Sequence, residues 1–197
     1  MNEDHQDMEI TLPMLEQIEL SNDLTQRSLS ERLNLALGLT NSYLKRCIRK
    51  GFVKIEQVPA NRYLYYLTPK GFAEKSRLAA KYLKNSFDFY RRASDDCFSV
   101  FQQCAEQGWP RVVICGVSDL AEIAIMQAGR AEVEVVGIFD ERHKLESFFG
   151  VTVIGFDQLS EESVCMITSL NRPLRIKKQL LGVVPESQIF APALLKL

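Results

Sequence analysis

Between Phe72 and Gln107 the chain contains neither glycine nor proline. At about 1.5 Å per residue, such a stretch supports up to roughly 55 Å of unbroken helix. Thr68-Pro69 opens it, a capping hydroxyl followed by proline at the first helical position. Gly108-Trp109-Pro110 closes it. An element this long divides the 197 residues into a first domain over 1–71, a connecting helix over 72–107 and a second domain over 111–197.

The formal net charge is −1, but the charge is segregated along the chain. Residues 1–24 carry seven acids and no base, residues 25–84 carry 13 bases against three acids, and residues 85–197 carry 11 bases against 15 acids. A block of +10 inside a neutral chain points to a polyanionic partner for that block. The pattern of elements within the block agrees. Ile10, Met14, Leu15 and Ile18 recur near helical spacing over 8–20, with Pro13 expected in an early turn. A second helix fits Thr25–Asn34, with Leu24, Leu29 and Leu33 as its apolar stripe and Thr25 or Ser28 as its cap. After a break over Leu35–Leu37, a third helix runs from Gly38 to Lys50, and Gly51 ends it as a left-handed cap. Thr40, Leu44, Cys47 and Ile48 form its inner face. Phe52–Val58 and Tyr63–Leu67 read as strands joined through Pro59-Ala60-Asn61-Arg62.

Three helices followed by a hairpin is the order of an α+β winged helix-turn-helix. Its third helix presents Leu39, Asn41, Ser42, Lys45, Arg46 and Arg49 outward, residue types that reach base edges and phosphates of double-stranded DNA. Lys54 on the first strand, with Lys50 and Lys70, would add phosphate contacts; Arg62 at the hairpin tip would enter the adjacent minor groove or contact phosphate, and Asn61 beside it is a further DNA-binding candidate. The alternatives are a solvated basic surface or a winged helix used for protein contact. The stretch LTQRSLSERLNLALGLTNSYLKRCIRKGFVKIE, followed by YLYYLTPKGFAEKSRLAAKYLK, resembles the MarR-type winged-helix regulators, most of all the subgroup found with exopolysaccharide gene clusters. The resemblance covers about residues 8–90 and implies a DNA-binding transcriptional regulator. It departs at Ala36, where such proteins often carry a Ser or Thr cap.

Along the connecting helix Leu83, Phe87, Tyr90, Ser94, Cys97, Phe101 and Cys104 alternate at spacings of four and three, a heptad seam interrupted at Ser94. Such a seam fits a homodimer interface that presents two recognition helices; alternatively it packs on the chain's own second domain. Ser94-Asp95-Asp96 could also split it into two helices.

In the second domain, strands at Arg111–Cys115, Val133–Phe139, Val151–Ile154, Val164–Ile167 and Gln188–Phe190 are interleaved with helices ending at Ala128 and spanning Pro173–Leu181. This alternation predicts a small α/β, parallel, doubly wound, Rossmann-like sheet of about five strands. Chemistry in such a sheet gathers at the carboxyl ends of its strands, so Gly116, Ser118, Asp119, Leu120 and Asp140 are the candidate ligand residues. Of the dinucleotide fingerprint, Gly116 and Ala121 keep the first and third positions, while Ser118 replaces the second glycine. Asp119 opposes an anion at the helix start, and Asp140 is placed to accept from a ribose diol. The run VVICGVSDLAEIA…VEVVGIFDER…GVTVIGFDQL is similar to the small domains that begin polysaccharide-biosynthesis and sugar acetyltransferase proteins. It also resembles the sensor domain of Rex-type redox repressors, down to its ending IFAPALLKL. These resemblances imply NAD(H) or a nucleotide sugar as effector; the alternative is an interaction domain whose sheet binds only protein, or nothing.

Only His5 and His143 are present, and neither stands in a catalytic constellation, so no enzyme is expected. The rival reading is a nucleotide-sugar enzyme or accessory subunit whose winged helix binds protein. The five cysteines form no C-x-x-C pair and three lie in apolar patterns, which predicts buried reduced thiols, with Cys115 a candidate oxidant sensor. With no basic start before an apolar stretch and no apolar run of about 20 residues, a cytoplasmic protein with no membrane partner is expected.

Overall fold

The computed structural model describes residues 3–59, 62–142 and 145–197, and the side chains of residues 3–7 and 62 lie outside that description. Ala60, Asn61, His143 and Lys144 thus fall outside the described residues. The chain divides into two compact units, 1–86 and 87–197, and the division falls inside one long helix.

In the first unit, helices α1 (Glu3–Leu20), α2 (Gln26–Arg32) and α3 (Leu37–Arg49) are followed by an antiparallel pair, β1 (Val53–Val58) and β2 (Arg62–Leu67). This is a winged helix. Pro13 differs from expectation, since it lies inside the 18-residue α1 rather than in an early turn. An interior proline costs about 3 kcal/mol. The turns before it carry Met8, Ile10 and Leu12, all buried, and each buried aliphatic side chain returns about 1.5–3 kcal/mol. Together with Met14, Leu15 and Ile18 they meet Leu29, Leu44, Cys47, Tyr65 and Leu78 in one core.

Local capping explains the helix ends. Thr25, rather than Ser28 alone, caps α2: its hydroxyl accepts from the Ser28 N–H at 3.0 Å, and the Ser28 hydroxyl accepts from the Thr25 N–H at 3.0 Å. Ala36 starts α3 without a side-chain cap, and the first turn closes through the Thr40 N–H to the Ala36 carbonyl at 3.0 Å. Gly51, at φ +74°, ends α3; the Phe52 N–H reaches back to the Cys47 carbonyl and the Gly51 N–H to that of Ile48, both at 2.9 Å.

Helix α4 (Pro69–Glu106) is continuous, so Ser94-Asp95-Asp96 does not break it. The Thr68 hydroxyl accepts from the Gly71 N–H at 3.0 Å and donates to the Gly51 carbonyl at 2.6 Å, tying its start to the end of α3. The predicted seam is divided. Cys97, Phe101 and Cys104, with Ala93 and Val100, are buried in the core of the second unit, whereas Leu83, Phe87 and Tyr90 are exposed.

The second unit is built on β3 (Arg111–Cys115), α5 (Asp119–Ala128), β4 (Glu134–Phe139), β5 (Ser147–Phe148), β6 (Val151–Ile154), β7 (Cys165–Ile167), α6 (Pro173–Leu180) and β8 (Ile189–Phe190). The sheet order is β5-β6-β4-β3-β7-β8. All pairs are parallel except β5 with β6, so the sheet is mixed rather than wholly parallel and has six strands. The added strand is two residues long and returns through Phe149-Gly150, too short for an alternation pattern to register. Along β3 the faces alternate. Val112 and Ile114 meet α5 and the second half of α4, while Val113 and Cys115 join the α6 side with Leu180. No helix among the described residues is long and apolar enough to cross a membrane.

Candidate nucleic-acid interface and C-terminal cleft

Helix α3 buries Thr40, Leu44 and Cys47. At about 100° per residue, Gly38, Ser42, Lys45 and Arg49 fall on the opposite face. All four are exposed. With no side chain at Gly38 and a hydroxyl at Ser42, the start of this face can approach another molecule closely, while Lys45 and Arg49 supply charge further along. Lys54 is exposed on β1 and Leu39 is 37% exposed beside the polar face.

Two of the predicted residues lie on the flanks. Arg46 is half-buried, with its guanidinium 5.9 Å from the centre of the Tyr43 ring. It lines a cavity of about 190 Å³ with Lys50, Glu74, Arg77 and Lys81. Asn41 keeps its Oδ1 buried, with no hydrogen-bond partner among the described residues. Asn61 lies outside the described residues, as does the Arg62 side chain, whose backbone begins β2. Lys70 donates to the Lys50 carbonyl at 2.9 Å, so its ammonium helps close the end of α3. Glu74 is held below the ordinary carboxylate range chiefly by its hydrogen bonds to Arg77, against the opposing effect of burial.

In the second unit the residues after β3 act mainly on one another. Gly116, at φ +112°, has the Ser169 backbone nitrogen 2.7 Å from where a Cβ would stand, so its bare backbone admits the loop after β7. Ser118 caps α5: its hydroxyl accepts from the Ala121 N–H at 3.2 Å and donates to the Thr168 carbonyl at 2.7 Å. The Thr168 hydroxyl donates to the Gly116 carbonyl at 2.6 Å. Leu120 is buried in the core, and Asp119 is exposed in the first turn of α5. The start of α5 is therefore closed by the chain's own hydroxyls.

Asp140, at the end of β4, faces a cavity of about 150 Å³ at the carboxyl ends of the strands. Its Oδ2 accepts from the Val117 N–H at 2.8 Å and its Oδ1 from the Arg142 N–H at 2.9 Å. Three arginines line the same cavity, Arg142, Arg172 and Arg175. The sequence reading missed them. For Arg172 and Arg175 the available signal was the basic run Arg172–Lys178, with four cations in seven residues; for Arg142 it was its place two residues after Asp140. His143 lies outside the described residues. The cysteines are all buried. Burial, reinforced by Cys165, pushes the Cys115 thiol well up, which disfavours the thiolate form an oxidant sensor uses.

Residues 10–54 match the family described as winged helix-turn-helix DNA-binding. No curated protein matches the chain. Among solved structures, a MarR transcriptional regulator from Methanosarcina mazei Go1 is similar at a TM-score of 0.34 and 23% identity, over 40% of this chain and 60% of that one. Streptococcus pneumoniae FabT, in complex with DNA, is similar at a TM-score of 0.33 and 21% identity, over 61% of this chain and 68% of that one. The chain thus spans three fifths of the length of the first of these proteins. Matching family and observed order of three helices and a hairpin agree: the N-terminal unit carries a winged helix-turn-helix DNA-binding domain.

Proposed function

We propose that the protein is a dimeric, sequence-specific, DNA-binding transcriptional regulator whose C-terminal α/β unit binds a small effector or a partner. The observation that carries the reading is the outer face of α3, where Ser42, Lys45 and Arg49 are exposed opposite a buried Thr40, Leu44 and Cys47 within the matched winged helix. A polar, basic helix face of this kind fits the major groove of duplex DNA. The resemblance to regulators found with exopolysaccharide clusters makes promoters of polysaccharide-biosynthesis genes the first fragments to try.

Dimerisation is proposed through the exposed half of the α4 seam, Leu83, Phe87 and Tyr90, with Tyr82 and Phe89 beside it. Aromatic side chains exposed in succession along one helix are costly to leave in water. A second copy of the same helix offers a matching stripe.

The test is selection of bound duplexes from a fragment library, followed by titration of the selected duplex with Lys45→Ala and Arg49→Ala. Each substitution is expected to weaken binding by about five- to tenfold and to lower the salt dependence. Unchanged affinity and salt slope in both variants would sink the assignment of this face.

A further inference from the structure

We infer that the C-terminal unit holds an anion-binding pocket formed by Arg142, Arg172 and Arg175, which takes the phosphate of a small nucleotide-type ligand. The inference rests on the proposed reading of this unit as effector-binding. It moves the ligand away from the start of α5, where the sequence places a dinucleotide fingerprint.

The start of α5 is an unsuitable phosphate site for three reasons. Ser118 already caps the helix, and Ser169 occupies the space beside Gly116 that a phosphate oxygen would need. Asp119 adds a carboxylate in the first turn. On the other side of Asp140 the balance reverses. The cavity there is lined by two acids and three arginines. Both oxygens of Asp140 accept backbone N–H groups, and Glu141 is paired with Arg175 at 3.1 Å and also bonded by Gln179. The lining carries three positive and two negative charges, a net of +1, with Glu141 paired to Arg175 and Asp140 held by backbone N–H groups, so the cavity as a whole is positive. Arginine suits this task because its planar fork matches phosphate oxygens two at a time.

Size narrows the ligand. A cavity of about 150 Å³ accepts a phosphoryl group with some water. Pockets that enclose whole drug-sized ligands run to about 300–1,000 Å³. The rest of the molecule has a neighbouring place to lie. A wider, open groove of about 690 Å³ shares Phe139, Asp140 and Glu141 with the pocket and is lined beyond them by Leu145, Ile154 and Phe156. Phe156 is 37% exposed and Leu145 49% exposed, so a flat apolar group would cover surface now facing water. Phosphate on the arginines and an aromatic ring along Phe156 is the polarity of a nucleoside mono- or diphosphate.

The test is calorimetric titration of the full-length protein at low salt with ADP, UDP, pyrophosphate and inorganic phosphate. The wild-type chain is expected to bind ADP or UDP more tightly than the two inorganic probes. Arg142→Gln and Arg172→Gln, both at exposed positions, are expected to weaken that binding by about tenfold or more each. Circular dichroism and duplex affinity should stay unchanged. Asp119→Asn should leave nucleotide affinity unaltered; a tenfold gain there would return the phosphate to α5 and overturn the inference. Nucleotide binding that survives in the double arginine variant overturns the location and leaves the effector reading standing. If none of the four probes binds, the inference falls, and a screen of phosphate-free metabolites then decides the effector reading separately. Loss of duplex affinity in the arginine variants, with nucleotide binding unchanged, would make the cluster a DNA contact and also overturn it.

Discussion

Gly71 lies so close to Phe52 that a Cβ on it would stand 2.0 Å from the Phe52 carbonyl oxygen. The contact joins the first turn of α4 to the segment between α3 and β1, beside the bond from Thr68 to Gly51. Gly71→Ala should therefore destabilise the first unit, even though alanine is the better helix former, because backbone rather than a mobile side chain must give way. The expected loss is about 1–3 kcal/mol, read as a lower urea midpoint. An unchanged midpoint would show that the helix start shifts freely.

The two arginines of α3 should separate in their effect on DNA. Arg49 lies on the outermost line of the helix, whereas Arg46 is half-buried against Tyr43. Arg49→Ala should lower the slope of log affinity against log salt by about one, and Arg46→Ala should change it much less. Equal slopes would place both on phosphates.

Replacing Phe87 with Glu, or Tyr90 with Glu, should shift the protein from dimer to monomer in sedimentation equilibrium while its circular dichroism is retained. Both side chains are exposed on α4, at 57% and 40%, so neither change disturbs a core. Dimers that persist in both variants would put the interface elsewhere.

Thiol chemistry should be suppressed well into alkaline pH. Burial pushes Cys97 up to about 12 and Cys104 up to about 11, from an ordinary value of 9.0. A raised folded-state value stabilises the neutral thiol below the unfolded pKa, and that contribution is lost as pH rises from 9.0 toward the folded values. Alkylation at pH 8 should follow unfolding, and stability should fall above about pH 9. Rapid labelling of the folded chain at neutral pH would contradict this.

Ser94 is 6% exposed, and its hydroxyl has no hydrogen-bond partner among the described residues. Ser94→Ala removes a buried hydroxyl without emptying the site. It should be neutral or stabilising by up to about 1 kcal/mol in urea unfolding. A clear loss of stability would reveal a partner, such as a bound water.

The local elements were legible from sequence because caps and periodicity are nearest-neighbour properties. Thr25, Gly51 and Thr68-Pro69 mark ends that the structure closes with hydrogen bonds spanning three to five residues, and the apolar runs of β3, β4, β6 and β7 mark strands. Pro13 and β5 escaped, the first because burial of Met8, Ile10 and Leu12 outweighs a local rule, the second because two residues carry no period.

What only tertiary structure decided is what each face meets. The α4 seam is one pattern from Leu83 to Cys104, yet the second sheet covers Cys97, Phe101 and Cys104 and leaves Phe87 and Tyr90 to water. Asp140 was legible as a cleft residue, but its carboxylate is filled by the Val117 N–H, 23 residues earlier in the chain. Arg142 and Arg172 line one cavity from the loops that follow β4 and β7. Periodicity records which side of an element is apolar, and charge records which segment is basic. Which surfaces come together depends on the order of strands in the sheet, a non-local choice that no window of neighbouring residues contains.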